Sequence, residues 1–159
     1  MLDDFKLEQP VAYKMLLNSK KSGKISRAYL FEANGYSKTL EFVLSFAKYL
    51  LCPDSHINNN VDCNVCKSIE KNEYLELKII EADGQWVKKT QLEELQLEFS
   101  KKPVIGDKKV YIINGAEKLN NSSANSILKF LEEPEEGIIA ILITSDINKL
   151  LPKSAKFVK

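Results

Sequence analysis

Apolar residues follow two rhythms along this chain. AYLFEA (28–33), LELKIIEAD (75–83), KKVYIING (108–115) and GIIAILITS (137–145) are short, dense apolar runs, the pattern of strands buried on both faces. Between them the apolar positions spread to helical spacing. Leu40, Val43, Phe46, Ala47, Leu50 and Leu51 make one stripe over residues 38–51, and Leu92, Leu95 and Phe99 make another over 90–99. Thr90 and Glu93 have the spacing of a capping box at the start of that second stretch. NSSANSILKFLEE (121–133) reads as a helix stopped by Pro134, PVAYKMLLNSKK (10–21) as another helix, and AKFVK (155–159) as the beginning of a fifth strand. Strands alternating with helices predict an α/β fold, a parallel sheet with helices on both faces.

Composition narrows the classes without naming one. With 159 residues the chain has the size of one domain, and 44% apolar with 28% charged residues is a globular balance. Net charge is only +1 and Arg27 is the single arginine, so no global field draws the molecule onto nucleic acid. The start MLDDFKLEQP lacks the basic and apolar parts of a signal peptide, and no apolar run approaches a membrane span. The expected location is the cytoplasm. Three cysteines, an odd number, argue against a disulfide framework in a reducing compartment.

The first strand-to-helix junction, FEANGYSKTLEF (31–42), carries candidate chemistry. A phosphate loop, G-x-x-x-x-G-K-[ST], uses glycines to let backbone N–H groups surround phosphates, Lys to reach the terminal phosphates and Ser or Thr to ligate magnesium. Lys38 and Thr39 fit that pattern as cofactor-binding residues, but the glycine positions are Glu32 and Ser37. Glu32 sets a carboxylate near the required anion, and Ser37 sets a side chain where backbone must approach. The same residues also suit an ordinary turn, with Ser and Thr near the helix start as caps. A magnesium-binding carboxylate is expected at the tip of a later strand, yet VYII is followed by Asn114, Gly115 and Ala116 before Glu117. Two independent defects argue against nucleotide hydrolysis and against ATP as a cofactor.

Cys63-Asn-Val-Cys66 is a C-x-x-C knuckle, and Cys52 ends the preceding helix. Together with His56, the one histidine of the chain, these residues could supply the four ligands of a tetrahedral zinc site. Cys52 as core filler and an exposed His56 are the plainer alternatives.

Residues 109–113 (Lys-Val-Tyr-Ile-Ile), Ala116-Glu117-Lys118-Leu119 and above all ANSILKFLEEP (124–134) resemble the bacterial clamp-loader ATPase family. Arg27-Ala-Tyr-Leu-Phe, the three cysteines and Ile-Thr-Ser (143–145) fall in that family's order, over roughly residues 8 to 152. The resemblance is greatest to members that keep the AAA+ fold while losing ATPase residues. It implies a three-layer AAA+, P-loop-type parallel sheet, with a small zinc-module-like insertion at 52–72 after the first helix of the βα unit. Zn2+ is the cofactor it implies. Cys52, Cys63 and Cys66 take three of the family's four cysteine places, Ile69 takes the fourth, and His56 is the replacement ligand. No arginine follows Arg27, so Leu150-Leu151-Pro152-Lys153-Ser154-Ala155-Lys156 lacks the family's Ser-Arg-Cys finger, for which Lys153 or Lys156 offers charge without a planar fork.

The resemblance further implies a non-catalytic subunit of the replicative clamp loader. Its partners would be delta-type and tau/gamma-type subunits, with the sliding clamp and primer-template DNA met through the complex and no membrane involved. No helical lid or collar fits after Phe157-Val158-Lys159, so 1–159 reads as an amino-terminal module whose missing last strand would leave a sheet edge open. The rival functions are an ATP-hydrolysing subunit of tau/gamma type and a zinc-dependent nucleic-acid binding module.

Overall fold

A computed structural model of the chain describes residues 2–23, 25, 27–33, 35–52, 63–82, 84–99, 101, 108–120, 122–125 and 137–146. A 3-10 turn, Leu2–Phe5, is followed by α1 (Pro10–Lys21), β1 (Ala28–Glu32), α2 (Thr39–Leu51), α3 (Asn64–Glu70) and β2 (Leu77–Glu81). Then come α4 (Lys89–Phe99), β3 (Lys109–Asn114), a second 3-10 turn (Ala116–Lys118) and β4 (Ile138–Thr144). The four expected strands form. α1 has the expected bounds, with Pro10 in its first turn, where a missing N–H costs nothing. Residues 122–125 are helical, while the rest of the helix expected over 121–133 and the strand expected at 155–159 lie outside the described residues.

Two starts differ from expectation. α2 begins at Thr39, with Lys38 in the cap position. α4 begins at Lys89, so Thr90 lies inside the helix, and the reciprocal half of a capping box is made instead by Gln91, whose Oε1 accepts the Lys88 N–H at 2.8 Å. Glu93 pairs with Lys89 one turn back at 3.8 Å.

All strands are parallel and lie in the order β1-β4-β3-β2. From β1 the chain crosses to the far edge at β2 and then steps back, so crossovers of one hand place α2 and α3 on one face and α4 on the other. Side chains sort accordingly. Val110, Ile112, Ile139, Ile141 and Ile143 point to a core shared with α1, α2, α3 and the first turn. Tyr111, Ile113, Ile138, Ala140 and Leu142 point to a second core with α4 and Ala124. Such alternation within an unbroken apolar run is what a doubly covered strand requires. Phe46, fully buried, meets Tyr29 edge-on at 5.1 Å, with Phe31 tilted toward it at 6.4 Å.

Two lysines close helix ends. The half-buried Lys20 ammonium donates to the carbonyls of Tyr49 and Cys52, the latter at 3.1 Å, and lies 5.0 Å from the centre of the Tyr49 ring. Lys109 donates to the Glu98 carbonyl at 3.0 Å and lies 5.4 Å from the Phe99 ring. Each cation meets the negative end of a helix dipole, α2 and α4 respectively, and an aromatic face together. β1 is an edge strand of the sheet formed by the described residues, and beside it lies a 500 Å3 groove walled by Ala12, Met15 and Leu16 of α1 with Tyr29 and Phe31 of the strand.

Candidate functional site

Parallel strands bring all their carboxyl ends to one edge of the sheet, where ligands of open α/β folds bind. The β1–α2 junction stands there and is drawn tight. Ala33 N–H donates to the Thr144 carbonyl at 2.8 Å, and Tyr36 N–H donates to the Ala33 carbonyl at 2.8 Å. Gly35 takes φ +85° in that turn, a conformation in which a Cβ would be strained. A phosphate cradle needs free N–H groups directed inward, and the Tyr36 N–H is spent on the turn itself.

The candidate phosphate residues are likewise engaged. Thr39, 8% exposed, donates its hydroxyl to the Tyr36 carbonyl at 2.8 Å, tying the start of α2 to the turn. Lys38 donates from Nζ to Glu8 Oε1 at 3.0 Å, and the Tyr36 hydroxyl donates to Glu8 Oε2. The Tyr36 hydrogen bond, then the Lys38 one, holds the Glu8 carboxyl below its ordinary value. The same hydrogen bond from the other side lifts the Tyr36 phenol to about 12, and Glu8 raises the Lys38 ammonium. Glu32 and Ser37 are exposed. The cavity beside the loop, lined by Gln9, Phe31, Tyr36, Thr39 and Phe42 among others, encloses 120 Å3, below the roughly 300 Å3 at which small-molecule sites begin.

β4 lies between β1 and β3, so the β3 tip stands about 10 Å from the loop strand. Asn114 Nδ2 there donates to Glu81 Oε1 of β2 at 3.1 Å, an amide facing a carboxylate. Glu117 accepts from the Ser145 N–H at 3.3 Å and the Ser145 hydroxyl at 3.4 Å, which turns its charge toward the end of β4.

The cysteines converge. Cys52 is the C-cap of α2, Cys63 the N-cap of α3, and Cys66 stands one turn into α3 on the side of Cys63. α3 is held to α2 by Lys48 donating to Glu70 at 2.9 Å, and Ile69 is buried in the core beside them. The three sulfurs lie within 4.8 Å of one another, with Cys52 and Cys63 at 3.6 Å. Tetrahedral Zn–S bonds of about 2.3 Å put ligand sulfurs about 3.8 Å apart, so the donor set and its spacing fit a thiophilic cation. Burial, and then the neighbouring Cys52 and Cys63 sulfurs, push the Cys66 thiol up to about 12. Thiols crowded this way resist collecting negative charge until a cation offsets it. His56 lies outside the described residues, as do Lys153 and Lys156.

Sequence reasoning found Lys38, Thr39 and the cysteines but missed Glu8 and Lys20. Glu8 stands 28 and 30 positions before its partners, and no local pattern marks such a pairing. α3 was also missed, because seven residues are too few to show helical periodicity.

The family model described as "DNA polymerase III, delta subunit" matches residues 8–154. The chain is 39% identical over 143 residues to DNA polymerase III subunit delta' of Bacillus subtilis, covering 90% of this chain and 44% of that protein. It is 36% identical over 137 residues to subunit tau/gamma of Haemophilus influenzae, covering 85% of this chain and 20% of the relative. The chain thus spans less than half the length of these curated relatives. In three dimensions it is similar to a DNA polymerase III gamma subunit-related protein of Thermotoga maritima, with TM-score 0.68 at 20% identity, over 91% of this chain and 44% of the other.

Proposed function

This chain belongs to the DNA polymerase III delta-subunit family, and from that premise we propose that it acts as a delta-prime-type, non-catalytic clamp-loader module. In this reading 1–159 is an AAA+ amino-terminal module and 52–72 a zinc-module-like insertion within it. The other subunits, of delta and tau/gamma type, are its direct partners, and the sliding clamp and primer-template DNA are met through the assembly, in the cytoplasm. Among the described residues no helix is long and apolar enough to cross a membrane.

One observation carries the non-catalytic reading. Lys38, the loop residue that would reach a phosphate, is engaged from within by the Glu8 carboxylate. The amide of Asn114 in place of a metal-binding carboxylate supports it. A second reading, an ATP-hydrolysing subunit of tau/gamma type, draws on the tau/gamma relatives. Calorimetric titration with ATP and magnesium separates the two: no saturable heat and no phosphate release are expected, and micromolar binding coupled to turnover refutes the first.

The metal module is read as a zinc site of Cys52, Cys63 and Cys66, with His56 as fourth ligand. Metal analysis of the purified protein is expected to return one zinc per chain, reduced in Cys63→Ser. Zinc-free native protein sinks this assignment.

A further inference from the structure

We propose that Glu8 is a tethered counter-anion, built into the amino-terminal segment, that seats on Lys38 and Tyr36 and closes the loop to phosphate-bearing ligands. The proposal rests on the non-catalytic reading and adds to it what keeps the lysine quiet.

Glu8 is not a stray surface charge. The turn before it is anchored by Leu2, fully buried, and by Phe5, whose ring meets Phe42 of α2 edge-on at 5.1 Å. Gln9 N–H donates to the Phe5 carbonyl at 2.9 Å, and Tyr13 ties α1 back to the turn through Asp3 at 3.1 Å. Between these anchors the segment holds Glu8 across the loop, and each carboxylate oxygen takes one donor, Oε1 from Lys38 and Oε2 from Tyr36. Those two donors are ones a phosphate would use. An exposed ion pair adds little to stability, so the contact matters through occupancy. A short tether gives an effective concentration on the order of millimolar, and an incoming anion must displace a like charge before it reaches Lys38.

The probe is inorganic pyrophosphate without magnesium, titrated calorimetrically into the intact protein and its variants Glu8→Gln, Glu8→Ala, Lys38→Ala and Glu8→Gln/Lys38→Ala. Glu8→Gln and Glu8→Ala are expected to bind about two- to fivefold more tightly than the wild type, the scale of an exposed ion pair. The gain should vanish in the double variant and weaken with salt. Two Glu8 variants are used so that an amide, whose one oxygen still accepts from Lys38 or Tyr36, does not mask the effect. If both melt like the wild type and neither gains affinity, the counter-anion is overturned while the non-catalytic reading stands. ATP turnover by the wild type overturns both, since phosphate then reaches the loop with Glu8 in place.

Discussion

Glu8, Tyr36 and Lys38 form a contact whose pH limits follow from the direction of each shift. The Glu8 carboxyl is depressed below its ordinary 4.5, so its share is complete above that value and is lost as pH falls through the lowered one. Tyr36 is raised from 10.0 to about 12, so its share is complete below pH 10 and is lost as pH rises toward 12. Tyr36 in Glu8→Gln should titrate near 10 again, followed by NMR of the ring; a phenol still near 12 would show that Glu8 is not the cause. At this scale the sequence was legible wherever chemistry is local. Lys38-Thr39 and Cys63-x-x-Cys66 stand out as spacings, whereas the partner of Lys38 depends on how the segment before α1 is brought over the loop.

Helices and strands were legible where apolar spacing was long enough to carry a period. α1 and α2 are the plain cases; the start of α4 was misplaced because Thr90 imitates a cap, whereas Gln91 in the first turn reaches back to the Lys88 N–H. Lys20 was illegible because a basic residue in a helix's last turn ordinarily caps its own helix, and this one reaches the end of α2. Lys20→Met should lower unfolding free energy by about 1–2 kcal/mol, as expected for a partly buried cation on a helix terminus. Phe46→Ala should cost more, about 3–5 kcal/mol, because it opens a cavity under β1 that Tyr29 and Phe31 cannot both fill. Urea unfolding of both variants checks the ranking; equal losses would mean that the aromatic cluster is not the support of this face.

For the molecule as a whole, the two-sided core was legible in the dense apolar runs, and the strand order was not, because periodicity says which face a residue takes and nothing about its neighbour. β3 and β4, inner strands buried along nearly their whole length, should hold the slowest-exchanging amides. β1, outer and only half-buried over most of its residues, should exchange earlier. Hydrogen exchange read by mass spectrometry tests this, and uniform protection across the sheet would contradict it. The β1–β4 pairing also sets a clock during synthesis. Ala28 must await Ala140, more than a hundred residues later, which a ribosome making about 5–20 residues per second supplies only after several seconds. Through that interval β1 has no strand beside it among those described, and α1 and α2 are the elements already made that can shelter Tyr29 and Phe31. The helical layer therefore serves the nascent chain as a temporary cover before it serves the finished protein as a wall.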